Sequence, residues 1–141
     1  MTSLSAHFTL EEATLSQKAA RLGISNDPPL EVAMNMKQAA LGMELVRQLL
    51  GQPIHINSWY RCPDLNKAVG SKPTSDHLTG FAIDFTCPTY GTPEVIVKAI
   101  LASNIDFKQV IYEFGSWVHI SFNGMQRQAL VIDKEGTRVF A

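Results

Sequence analysis

His77, Asp84 and His119 could together do chemistry that none of them does alone. The first two stand in Ser75-Asp76-His77-Leu78-Thr79-Gly80-Phe81-Ala82-Ile83-Asp84, and the third follows in Trp117-Val118-His119-Ile120-Ser121. Two imidazoles and a carboxylate are a common ligand set for catalytic zinc, which takes three protein ligands and keeps a fourth position open for water. Singly, each residue has a plainer account: a strand His is usually hydrogen-bonded, and a lone Asp usually sits on a surface or turn. The combination points to a metal. Gly80 would permit a tight approach between a loop bearing His77 and a strand bearing Asp84, with His119 arriving from a neighbouring strand.

The elements that must position these residues are legible in outline. Thr9-Leu10-Glu11-Glu12 has the spacing of a capping box, with Phe8 placed to staple the first turn, so a short helix begins near Leu10. Ser16 offers a second cap and Gly23 a stop, and Asn26-Asp27-Pro28-Pro29 reads as a turn. From Leu30 to Leu50, apolar residues recur at three- and four-residue intervals up to Gly51, which predicts a long amphipathic helix. Met34, Met36 and Met43 are expected in its core-facing stripe.

Ile54 to Asn57 alternates like a strand, and Ser58 to Thr79 reads as a long irregular stretch. Phe81 to Phe85 resumes the strand pattern, and Thr92-Pro93-Glu94 opens a helix to about Ser103. Gln109–Phe114 and Trp117–Phe122 are apolar runs on either side of Gly115-Ser116, a hairpin signal, and a closing hairpin is expected around Gly136. The expected class is α+β, with helices packed on one side of a mainly antiparallel sheet in a single domain spanning residues 1–141.

A chain of 141 residues, 45% hydrophobic, can bury one core. Twelve Lys and Arg against thirteen Asp and Glu give no basic field for nucleic acid. The N-terminus has no secretory-signal pattern and no apolar run spans a bilayer, so synthesis in the cytoplasm without a membrane anchor is expected. Cys62 and Cys87 read as free, packed thiols, with a disulfide or an accessory metal contact left open. His55 reads as a solvent-facing strand residue and His7 as merely terminal, while Tyr112 and Trp117 are core or cross-strand aromatics that could also line a cleft.

The Ser-x-His-x-x-Gly-x-Ala-x-Asp run and Trp117-Val118-His119-Ile120-Ser121 closely resemble the zinc peptidases that include D-alanyl-D-alanine carboxypeptidases, L-alanyl-D-glutamate endopeptidases of phage lysins and the vancomycin-resistance dipeptidase. The hedgehog signalling domain shares their fold. Phe8-Thr9-Leu10-Glu11-Glu12, Asn26-Asp27-Pro28, Ile56-Asn57-Ser58-Trp59-Tyr60-Arg61-Cys62-Pro63 and Asn66-Lys67-Ala68-Val69-Gly70 extend the resemblance over nearly the whole chain. It implies a hedgehog-like, D-Ala-D-Ala-peptidase-like fold and one zinc ion held by His77, Asp84 and His119. It also implies that Arg61 faces the cleft and pairs with substrate, and that Ser75 sits beside the metal, bonding a ligand or the substrate. The implied partners are peptidoglycan stem or cross-bridge peptides, met by a monomer after release from the cell or as part of a virion. A carboxypeptidase or dipeptidase acting on free precursors, or a non-catalytic zinc module, would keep the same fold.

Many members of that family carry an acidic residue three positions before the last His, where this chain has Ser116. Peptide hydrolysis needs a base that takes a proton from water and returns it to the leaving amine. Glu113 is the nearest carboxylate, with Asp76 in reserve. Its usefulness depends on hairpin parity. An odd loop such as Gly115 to Trp117 would pair Glu113 with His119 on one face, whereas a two-residue loop at Gly115-Ser116 would pair Tyr112 with His119 and turn Glu113 away.

Overall fold

Capping chemistry sets the helix boundaries in the computed structural model, which describes residues 2–141. Helix α1 (Leu10–Thr14) starts at Thr9, whose Oγ1 accepts from the Glu12 N–H while Glu12 reaches back to the Thr9 N–H. Phe8, just ahead of the cap, is buried edge-on against Trp59 with ring centroids 6.1 Å apart. Helix α2 (Gln17–Leu22) is capped by Ser16 and ends at Gly23. Helix α3 runs Leu30–Leu50 and stops at Gly51, whose φ of 65° favours glycine.

The stretch expected to be irregular is partly ordered. Helix α4 (Pro63–Ala68) begins with Pro at its first turn, and a 3₁₀ turn spans Asp76–Thr79. Pro63, followed by the acidic Asp64, is a helix-start signal, but six residues are too few to show a period. Helix α5 (Pro93–Ala102) is capped by Thr92.

Six strands complete the α+β arrangement: β1 (His55–Ser58), β2 (Ala82–Thr86), β3 (Gln109–Glu113), β4 (Trp117–Ser121), β5 (Gln128–Asp133) and β6 (Gly136–Val139). They form one mixed sheet in the order β1-β2-β4-β3-β5-β6. β3 pairs parallel with β5, and the other four neighbouring pairs are antiparallel. Helix α5 packs on β3 and β4, and α3 packs on α5.

The core forms where these layers meet. Met36 and Met43 of α3, Ile96 and Ile100 of α5, and Phe85 and Ile120 of the sheet are fully buried. Such burial contributes about 1.5–3 kcal/mol for each large apolar side chain. Met34 is a correction: it is 60% exposed, because two residues of helix carry it some 200° around the axis from Met36. Gly42 lets α3 approach the sheet-side ring of Phe122, where a Cβ would lie 2.5 Å from the ring.

His7 is more than a terminal residue. Its Nδ1 lies 2.6 Å from one oxygen of Glu44, whose other oxygen accepts from the His7 N–H and the Ser5 hydroxyl. His55 is exposed, as expected. Cys62 and Cys87 are both free, and the Cys87 thiol is buried against the Pro53 carbonyl. Among the described residues no helix is long and apolar enough to cross a membrane.

Asn26, placed in a turn by its neighbours, is instead a buried clamp. Its Nδ2 donates to the carbonyls of Thr14 and Tyr60 at 3.0 and 2.9 Å, and its Oδ1 accepts from the Cys62 N–H at 2.8 Å. It therefore ties α1 to the segment carrying Arg61. Asn26→Ala strands three backbone groups, the Tyr60 carbonyl buried and the other two half-buried, and a loss of about 1–3 kcal/mol in unfolding free energy is expected from urea titration. A change under 0.5 kcal/mol would show that water replaces the clamp.

Candidate metal centre

The three candidate ligands reach one point from different local structures. Asp84 and His119 are cross-strand partners on β2 and β4, so their side chains leave the same face of the sheet. His77 comes from the 3₁₀ turn, which ends at Gly80 with φ 81°. A Cβ on Gly80 would meet Met36 Cγ at 2.5 Å, so this glycine is needed both for the turn and for the close packing of α3.

Trp59 fixes the turn from the other side. Its indole N–H donates to the Gly80 carbonyl at 2.8 Å, and its own carbonyl lies 2.6 Å from His77 Nδ1. A carbonyl can only accept, so Nδ1 bears the hydrogen and Nε2 is the atom aimed at the centre. Sequence patterning assigned Trp59 no role, because a backbone carbonyl leaves no signature in side-chain type.

His77 Nε2 lies 3.3 Å from Asp84 Oδ1, and His119 Nδ1 lies 2.9 Å from the same oxygen. All three donor atoms fall within 4.8 Å of one another, and all three residues are buried. Tetrahedral zinc with bonds of about 2.0–2.1 Å places its donors about 3.3 Å apart, so the set fits that ion. A bare imidazole lone pair facing a carboxylate oxygen at such a distance is repulsive unless a proton or a cation lies between them. Burial opposes ionisation of Asp84, but the charges and hydrogen bonds of His77 and His119 hold its carboxyl well below the usual range. Burial likewise opposes protonation of His119, and Asp84 overrides it and raises the imidazole.

Glu113 faces this centre. The hairpin loop is Phe114-Gly115-Ser116, with φ of 52° and 65° at its first two residues. Its three residues give odd parity, so Glu113 lies on the His119 face. The expected partners are nevertheless displaced: Glu113 pairs with Trp117, and His119 pairs with Ile111, not with Glu113 or Tyr112. Glu113 Oε1 reaches to 3.7 Å from His119 Nδ1 as a diagonal neighbour. Burial, reinforced by the Asp84 charge, raises its carboxyl above the ordinary value, against His119 and Arg61, which lower it. Ser116 is exposed and bonds the Phe114 carbonyl within its own loop.

Asp76 does not join the centre. Its two oxygens accept from Lys108 Nζ at 2.8 Å and Asn123 Nδ2 at 2.9 Å, which holds the carboxylate in an ion pair and removes it as a reserve base.

Arg61 is bound on three sides. Its Nε donates to Asn66 Oδ1 at 3.2 Å, and Nη2 donates to the Ser71 and Ser75 hydroxyls, both at 3.3 Å. Burial lowers its guanidinium from the ordinary value, while Asp84 and Glu113 are near enough to raise it. The Nη1 hydrogens are left for another acceptor. Ser75 also accepts from the His77 N–H at 3.2 Å, so it links Arg61 to a candidate ligand. Asn66 is buried on α4 and steadies the guanidinium, a role hidden with the helix that carries it.

Trp117 shares the Glu113 and His119 face and leans on Phe114, with ring centroids 5.6 Å apart. Its indole N–H is buried without a partner among the described residues. Tyr112 lies on the opposite face, edge-on to Phe140.

The sequence model of one family, described as Peptidase M15, matches residues 6–121. No curated protein matches the chain. The matched span ends at the last residue of β4 and contains every residue of the centre.

Proposed function

The chain belongs to the Peptidase M15 family of zinc-dependent metallopeptidases, and from that premise we propose that it hydrolyses a peptide bond in bacterial peptidoglycan. The observation that carries the reading is the convergence of His77, Asp84 and His119, whose ligand atoms lie within 4.8 Å of one another, beside the otherwise uncommitted carboxylate of Glu113.

His77, Asp84 and His119 would hold one zinc ion. When bound, zinc supplies Lewis acidity that acidifies water and polarises a carbonyl. Glu113, its carboxyl raised above the ordinary value by burial and the Asp84 charge, accepts the proton of the attacking water and returns it to the leaving amine. Arg61 presents its remaining N–H groups to a substrate carboxylate or to the carbonyl oxygen as negative charge develops there. Asn66, Ser71 and Ser75 hold that guanidinium in place, so little ordering is left for the moment of binding.

The test is release of new amino groups from purified peptidoglycan by the zinc-loaded protein, with mass spectrometry of the fragments. Fragment masses would name the bond and separate trimming of stem ends from cleavage within them. Zinc retention with no amine release from polymeric wall or free precursor peptides would favour a non-catalytic zinc module.

A further inference from the structure

Of the three candidate ligands, His77 is the one carried outside the sheet. Its 3₁₀ turn leads into β2 through Gly80 and Phe81, and it packs on α3, α4 and β2. Asn35 of α3 donates to the Thr79 carbonyl at 3.1 Å, the Arg61 N–H donates to the His77 carbonyl at 3.1 Å, and Trp59 bonds both Gly80 and His77. His119, by contrast, stands on β4. Ligand sites tolerate about 0.5 Å of misplacement, and a four-residue turn has few internal bonds with which to keep to it.

Among the described residues, the side-chain hydrogen bonds from this turn toward the β3 and β4 end of the sheet all leave from Asp76. One of its oxygens accepts from Lys108 Nζ and the other from Asn123 Nδ2. Both anchors adjoin β4. Lys108 stands just before β3, with its N–H donating to the Ser121 carbonyl and its carbonyl accepting from the Gln128 N–H. Asn123 follows shortly after the last residue of β4. Asp76 and Lys108 are both half-buried, so their attraction is screened less than that of a pair in open water. Asp76 directly precedes His77, so any shift of its carboxylate passes to the imidazole through a single peptide link.

We propose that Asp76 is a positioning residue of the metal centre: bridging Lys108 and Asn123, it braces the His77 turn against the end of β4 and so sets the spacing of His77 and His119 around the ion. The assignment rests on zinc binding by the three ligands and is separable from turnover.

Zinc affinity of the full chain, measured by competition with a chromophoric chelator, tests it. Asp76→Asn keeps the side-chain shape and removes the charge, Lys108→Met removes the cation, and each is expected to weaken zinc about tenfold. The double variant is expected to bind no more weakly than either single one, because both break the same brace. Lys108→Arg, which keeps the positive charge, is expected to return the affinity to the wild-type value. Asn123 is exposed, so Asn123→Ala spares the fold, and a smaller loss in the same direction is expected. Lys98→Met, which breaks a surface pair with Glu94, is expected to change nothing. The visible spectrum of the cobalt-loaded protein should shift in Asp76→Asn, a signature that a general loss of stability does not produce. Wild-type zinc affinity in Asp76→Asn, Lys108→Met and Asn123→Ala, or additive losses in the double variant, overturns the brace and leaves the metal centre standing. No zinc binding by the wild type overturns both. Brace-sensitive zinc binding without amine release from any wall substrate would keep the brace and reject the peptidase reading.

Discussion

Glu113→Gln is expected to lower peptide-bond turnover by about two to four orders of magnitude, the usual contribution of a positioned proton carrier. The substitution keeps the shape and hydrogen-bond reach of the side chain but removes its ability to accept a proton. Zinc content should stay at the wild-type level. Glu113 Oε1 stands 3.7 Å from His119 Nδ1 and outside the three-atom donor set, so it is not needed to hold the ion. Metal analysis alongside steady-state kinetics separates the two roles. Full turnover in the zinc-loaded variant would rule out Glu113 as the base. Lost zinc would make it a ligand.

His119→Ala should act one step earlier. It deletes one of the three donors and leaves Asp84 Oδ1 with His77 alone. Loss even of a partner outside the ligand set commonly costs 10–100-fold in metal affinity, so loss of a ligand should cost well over about 100-fold. At micromolar protein, bound zinc should fall far below one per chain and amine release should vanish. Chelation of the wild type should reproduce that state, and added zinc should restore the wild type alone. Normal zinc affinity in His119→Ala would mean that the ion sits elsewhere.

These two residues show which parts of the centre were legible in the sequence. The ligand types stand out because few other clusters of imidazole and carboxylate have a use on adjoining strands. Whether Glu113 could meet His119 depended on the hairpin loop, and parity alone settled the face. The pairing itself, Glu113 with Trp117, came from Phe114 adopting a positive φ, which its residue type does not announce. Helix α3 was readable from end to end because twenty-one residues give the 3.6-residue period room to repeat and Gly51 marks its stop. Helix α4 was not readable, being six residues long in a run rich in Pro, Gly and Ser, and Asn66's support of Arg61 was hidden with it. Asn26 and Trp59 act by bonding backbone, and Asp76 is diverted by Lys108 and Asn123 from distant parts of the chain. Such pairings exist only after folding.

The last two strands lie beyond the family-matched span, and their position bears on self-association. Without β5 and β6 the sheet would end on β3, whose Val110 and Ile111 are apolar and whose main chain would stand unpaired along its length. An open edge of that kind invites copies of the chain to stack into fibrils. The parallel addition of β5 covers it, and the sheet ends instead on four exposed residues of β6, where Arg138 is held by Asp133. A short, charged terminal strand makes a poor template for stacking, so the hairpin would guard colloidal stability without touching the chemistry.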